Sequence, residues 1–337
     1  VVVMKFTKVY GIILIVIVLI AWFLCNPALQ SLPTQVGTIP AGFTSTLTGS
    51  TSAPAETPHA SILFSINGPA AGIYKVDPDG LHMKQIIADG YAPGWSPDGS
   101  MIVFSAELAG QSHIFIAKPD GSEVSQVTRD SFSDDFPIWL PDGETIAFRS
   151  TDQKGLWWWR VARSDGATMS NLTSPSYDFF FQTLSWSRDG NWIASMSLTE
   201  QRTRNDGSSQ IRIRRADGSG EFALTDNTWA NINPAWSPDG ARLAFLSELD
   251  GTYGKYSLYL IDRDGKGMQR LLDNNHFLDA TTRLSWSPDG QFIVYNTSLP
   301  DNRINVIDTA TGEVRELIDI SAVLGTGNIS GPPAWQP

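Results

Sequence analysis

Five letters, written again and again, limit what this chain can fold into more than any other feature. Trp-Ser-Pro-Asp-Gly stands at Trp95, Trp236 and Trp286, with near copies Trp-Leu-Pro-Asp-Gly at Trp139 and Trp-Ser-Arg-Asp-Gly at Trp186. A truncated copy, Pro-Ala-Trp-Gln-Pro, closes the chain at Trp335. Successive tryptophans lie 44, 47, 50, 50 and 49 residues apart. Self-similarity at that period marks a repeat architecture, in which each unit is too small to bury its apolar surface alone.

The segments after each motif show what one unit builds. A short apolar strand follows at Ile102-Val103-Phe104, Ile146-Ala147-Phe148, Ile193-Ala194-Ser195, Leu243-Ala244-Phe245 and Ile293-Val294-Tyr295. Both alternating faces of these strands are apolar, so both faces are expected to be covered. Two further strands follow in each repeat, for example Ile114-Phe115-Ile116 and Gln126-Val127-Thr128. With the strand that enters the Trp motif, each repeat holds four. Four-stranded units with two covered faces, repeated every 40 to 50 residues, predict an all-β propeller.

The motif itself reads as shape. Ser-Pro-Asp-Gly is a tight turn in which Pro presets φ, Asp bonds nearby backbone and Gly takes positive φ. The Trp before it offers a large apolar body to pack between blades. Ser61-Ile62-Leu63-Phe64 resembles a strand that should follow a Trp motif, yet none precedes it, whereas Trp335 has nothing after it. Joining the two fragments into one blade gives six blades, with the C-terminal strand innermost, and removes open sheet edges.

These residues carry a resemblance. Leu224-Thr225, Pro234-Ala235-Trp236-Ser237-Pro238-Asp239-Gly240, Leu243-Ala244-Phe245 and Leu258-Tyr259-Leu260-Ile261-Asp262 are similar to the TolB-type, WD-like propeller repeat of bacterial envelope proteins. Weaker copies extend it over residues 61 to 337. The resemblance implies a propeller that binds, senses or accompanies an enzyme, in an extracytoplasmic setting. TolB itself has an additional N-terminal domain, so a role in the Tol–Pal system is not implied.

The N-terminus differs from the rest. Lys5 and Lys8 precede an uncharged apolar run from Val9 to Leu24. That run sits at the short end of a membrane span, and its flanking charges put the N-terminus inside and the propeller outside. Residues 1 to 25 are therefore expected to be a cytoplasmic stub and signal anchor. Residues 26 to 60, rich in Ser, Thr, Pro and Gly with Glu56 the only acid, are expected to be a flexible tether. The lone cysteine, Cys25, allows no intrachain disulfide.

Charge limits the partners. The chain carries −11 and residues 61 to 337 about −12, which disfavours nucleic acid, because binding it requires neutralising phosphates with Lys and Arg. The short uniform turns (SPDG, DPDG, KPDG, DRDG) occupy one face of the ring, and the long variable loops the other. Binding usually resides in such loops on a rigid scaffold. These loops hold nine aspartates against Arg129 and Arg283, together with many aromatics. An acidic aromatic face suits a basic or cationic protein patch or a stacked sugar, so the expected partner is an envelope protein or glycan. The candidate contacts are Asp134, Asp135, Tyr177, Asp178, Phe179, Phe180, Trp229, His276 and Phe277. To these the run Leu156-Trp157-Trp158-Trp159 adds Trp157 and Trp158, expected to be exposed where a strand leaves the variable face.

Signals of catalysis are thin. The four histidines fall in separate segments, and no HExxH, GxSxG or Cys–His arrangement occurs. No cofactor and no metal are expected. The alternative is a propeller-class glycan hydrolase or lyase using paired aspartates at the channel mouth.

Overall fold

The computed structural model describes residues 60–173, 183–198, 209–297, 301–325 and 327–337. The expected anchor, and the tether up to residue 59, lie outside these residues. No helix among the described residues is long and apolar enough to cross a membrane.

The strands form six sheets, and in blades 2 to 6 the order in space follows the order in the chain. Blade 2 comprises Gly90–Trp95, Ile102–Leu108, Gln111–Ala117 and Ser125–Gln126. Blade 3 comprises Ser133–Trp139, Thr145–Thr151, Trp157–Arg163 and Met169–Asn171. Blade 4 comprises Leu184–Trp186, Trp192–Leu198, Ser209–Arg215 and Phe222–Ala223. Blade 5 comprises Asn231–Trp236, Arg242–Ser247, Ser257–Asp262 and Gln269–Leu272. Blade 6 comprises Leu284–Trp286, Phe292–Asn296, Arg303–Asp308 and Val314–Asp319. The strand that carries the motif Trp is the innermost of each blade.

Blade 1 is built from both ends of the described chain. Ile62–Asn67, Gly72–Val76 and Lys84–Ala88 supply three strands. The inner edge comes in two short pieces, Asn328–Ile329 and Ala334–Trp335, both antiparallel to Ile62–Asn67. The second piece is the expected one. The first is added because the turn after the helix Ile320–Leu324 brings the chain back to the sheet early.

The repeated turn behaves as its letters suggest. In blade 2, Gly99 N–H donates to the Ser96 carbonyl at 2.9 Å, with Gly99 at φ +69°. Ser96 Oγ donates to Asp98 Oδ1 at 2.6 Å and accepts from Met101 N–H at 2.9 Å. Ser187, Ser237 and Ser287 repeat this geometry with Asp189, Asp239 and Asp289. Blade 3 has Leu140 in place of the serine, and there Asp142 takes Glu144 and Thr145 N–H instead.

Packing between blades explains the tryptophans. Trp95 packs against Leu63 and Ile73 of blade 1, and Trp286 against residues of blade 5. Burying a side chain of this size contributes about 2–3 kcal/mol or more. The indole N–H of Trp286 donates to Ala235 O of the preceding blade at 3.1 Å. The Leu-Thr pair of the repeat has a role as well. Thr128, Thr173 and Thr225 Oγ1 accept from Ile114, Trp159 and Ile211 N–H at 2.9–3.0 Å, satisfying donors where the outer strand ends.

Candidate functional site

The loops between blades lead into the inner strands, so the inner-strand starts form the mouth of the channel on the variable face. The residue three places before each motif Trp recurs around that mouth: Ala92, Phe136, Thr183, Asn233, Arg283 and Pro332. In three blades this residue adopts positive φ, at 50° for Ala92, 51° for Phe136 and 53° for Asn233. Each of the three sits within a register shift of its inner strand. Such a bulge re-aims one side chain out of the sheet's alternation.

Neighbouring positions touch. Thr183 Oγ1 donates to Asn233 Oδ1 at 3.1 Å, and Asn233 Nδ2 donates to Thr282 O at 2.8 Å, beside Arg283. Ala92 N–H donates to Ser65 Oγ at 3.1 Å. Gly331 lies so close to Ala92 that a Cβ there would fall 2.6 Å from its Cα.

Blade 3 supplies most of the charge. Arg149 pairs with Asp135 through two parallel hydrogen bonds of 2.8 and 2.7 Å, and its guanidinium lies 4.7 Å from the centre of the Phe136 ring. Burial outweighs the arginine and raises the Asp135 pKa. Burial also dominates at Tyr91, whose hydroxyl meets Ser112 Oγ and whose pKa is raised.

Arg283, on blade 6 directly across the ring from blade 3, is half-buried. Its Nη1 donates to Ala280 O at 2.8 Å and Thr282 O at 3.2 Å. Asp279 is the carboxylate whose charge acts on it, opposing the loss of its proton. Burial, followed by the like charge of Arg149, pulls its pKa down to about 10.

A second cluster lies deeper in blade 3. Arg160 Nη1 bonds Asp130 Oδ2 at 2.6 Å and stands 4.0 Å from Asp134 Oδ1. Its guanidinium also lies over Phe132, 5.2 Å from that ring centre, and Phe132 meets Trp158 edge-on at 4.9 Å. Asp134 is 0% exposed, takes one bond from Ser150 Oγ, and is pushed up to about 6 by burial.

The candidates read from the sequence therefore divide. Trp157 and Trp158 were expected to be exposed, but they are 4% and 6% exposed. Trp157 joins the core between blades 3 and 4, while Trp158 donates to Asn171 Oδ1 and backs Phe132. Asp134 and Asp135 are adjacent in the chain, yet the first is internal and the second is taken up by Arg149. The aspartates of blade 3 thus do not present free charge at the mouth. Trp229 is half-buried, with its ring against Gly251. His276 is exposed beside Asp273, and Phe277 is 52% exposed. Tyr177, Asp178, Phe179 and Phe180 lie outside the described residues. Arg149 and Asn233 escaped notice as mouth residues, and Tyr91, read from the sequence as one aromatic of the variable-face loops, turns its hydroxyl to Ser112. Asn233 and Arg283 could have been found by counting back three places from each motif Trp.

A polar cleft of about 340 Å³ adjoins the mouth between blades 6 and 1, lined by Asp279, Thr281, Asn296, Thr297, Asn302, Asn328 and Ile329. It meets the Arg283 backbone, whose N–H donates to Asn296 Oδ1 at 2.8 Å.

Six four-stranded blades around a channel define a β-propeller, and comparisons with known proteins narrow the class. No protein-family profile matches the chain. A TolB homologue of Chlorobium luteolum is 27% identical over 176 residues, 51% of this chain and 36% of the relative. An oligogalacturonide lyase of Pectobacterium atrosepticum is 23% identical over 246 residues, 65% of this chain and 60% of that enzyme. Among solved structures, TolB from Acinetobacter baumannii superposes with a TM-score of 0.67 at 20% identity, covering 82% of this chain and 67% of that one. The chain is a six-bladed β-propeller similar in sequence and in fold to TolB proteins. It spans only part of its relatives, including 24% of a peptidase of Bacillus subtilis and 54% of a protein of Agrobacterium fabrum.

Proposed function

We propose that this propeller is an extracytoplasmic binding module that docks an envelope protein or glycan on its loop face, around the channel mouth. One observation carries the reading. The positions that build the blades repeat their chemistry, whereas the six positions around the mouth, Ala92 to Pro332, share none. Unlike side chains held on a rigid ring are what a specific contact surface requires. The similarity to Tol–Pal system proteins named TolB supports an envelope setting. In this reading the apolar run from Val9 to Leu24 anchors the ring to the membrane and residues 26 to 60 let it reach its partner.

The test places a photo-activated cross-linker at Phe277 on the loop face and, separately, at Leu81 on the turn face, both more than half exposed. A partner captured in envelope extract from Phe277 and not from Leu81 is the expected result. Equal capture from both positions would overturn it.

The match to oligogalacturonide lyase favours a second reading, glycan cleavage at the same mouth. Asp135 could act as a base only by giving up Arg149. Appearance of new reducing ends in polyuronide incubated with the protein, lost in Asp135→Asn, would support cleavage over simple binding.

A further inference from the structure

Two arginines belong to mouth positions of opposite blades: Arg149 lies against the Phe136 ring, Arg283 stands three places before Trp286, and the charge of the first acts on the second. Arg149 spends Nε and Nη2 on Asp135 and lies flat over Phe136, which leaves Nη1 free of any bond to a described residue. Arg283 spends Nη1 on two carbonyls, and its Nε and Nη2 make no hydrogen bond to a described residue. Both side chains are held from behind by groups that fix their planes. Both sit in a partly dehydrated site, where like charges repel more strongly than in water. Asp135 offsets the charge of Arg149 and Asp279 part of that of Arg283, but the unspent N–H donors of both still call for an acceptor, and planar guanidinium forks match the geometry of oxyanions.

We propose that the channel mouth is an oxyanion site in which Arg149 and Arg283 hold a carboxylate or phosphate group of the docked partner from opposite sides. Asn233 on the neighbouring blade is buried and donates to Ala280 O and Thr282 O, the same carbonyls that hold Arg283 Nη1, so it fixes the backbone behind that arginine. The site departs from the expectation of a basic partner at the channel itself: Asp130 and Asp135 are taken up by Arg160 and Arg149, and the groups left unspent are guanidinium N–H donors, with Asp279 the acid whose charge acts on Arg283. The ligand class follows from these unspent N–H donors, which only a hydrogen-bond acceptor satisfies. The proposal rests on the mouth being the docking face, and it names what that face grips.

The test is thermal unfolding of the full chain, titrated with sodium succinate and with sodium phosphate against sodium chloride at matched ionic strength. The parent is expected to show a saturable rise in melting temperature with at least one of the two anions beyond the chloride effect. The stronger of the two identifies the source as carboxylate or phosphate. Arg283→Gln is expected to weaken that apparent affinity about tenfold or more, the effect of losing one charge-assisted contact. Arg283→Lys keeps the charge without the fork and is expected to fall between them. It carries the comparison if the Gln variant does not fold. A parent that responds to neither anion beyond chloride overturns the proposal, as does a folded variant series with unchanged affinity. Cross-linking from Phe277 separates this from the docking reading. Capture without an anion response removes the oxyanion site and keeps the docking face; an anion response without capture does the reverse.

Discussion

The indole N–H of Trp95 donates to the carbonyl of Ala334 at 3.2 Å, across 239 residues of chain. The same contact joins Trp286 to Ala235 within the ring, so the join between the chain ends copies an internal blade contact. The backbone repeats the copy. Trp335 N–H donates to Ser285 Oγ and Trp236 N–H to Ser185 Oγ, each from one blade to the one before it.

Deleting residues 331 to 337 should therefore act as the loss of a blade strand. It removes the buried Trp335, the acceptor of Trp95 and the bonds between Ser61 and Gln336. Loss of one buried Trp alone costs roughly 3–5 kcal/mol. A sharp fall in melting temperature is expected, and an unchanged melt would show that the ring does not depend on this closure.

Asp134 should make stability fall as pH rises. Its folded pKa, about 6, lies above the ordinary 3.8 because burial disfavours the carboxylate. Between these values the folded state binds the extra proton. The penalty is absent below about pH 4, grows to pH 6 and is fully present above. Asp134→Asn should raise stability at pH 8 by up to about 3 kcal/mol, with the gain vanishing near pH 4. Urea unfolding at both pH values measures it, and a gain independent of pH would contradict the assignment to ionisation.

Trp158→Ala should destabilise by roughly 3–5 kcal/mol, because the ring is buried and supports Phe132 under Arg160. Trp158→Phe should recover most of that loss and leave partner capture unchanged. Capture lost in a Phe variant that melts near the parent would return Trp158 to the binding surface.

Ser287→Ala should cost about 1 kcal/mol, since Oγ both donates to Asp289 and accepts from Phe292 N–H in the repeated turn. Denaturant melts would register it, and no change would show that Asp289 holds the turn unaided.

The number of blades, their boundaries and the closing strand were legible because the motif Trp marks the same place in each blade, and burial on both faces leaves its trace in runs such as Ile102-Val103-Phe104. The site was less legible for a related reason. A mouth position is recognisable by its place, three before the motif Trp, and not by its type. Counting charges also said nothing about pairing: Asp135 and Arg149 stand 14 residues apart and meet only through strand register. Alignment on the turns placed Trp158 correctly at a strand end. It could not reveal that Phe132, from the preceding loop, covers it.

Blade 1 gives the ring an unusual response to load. Strand Ile62–Asn67 is laddered on one edge to Gly72–Val76 and on the other to the C-terminal pieces ending at Trp335. Tension entering the ring at Ala60 runs along that strand, so it meets two ladders in shear at once instead of opening one from its end. Traction from the N-terminal side therefore bears on the most doubly fastened strand of the closing blade, and the ring can carry a pull without its seam being unzipped bond by bond.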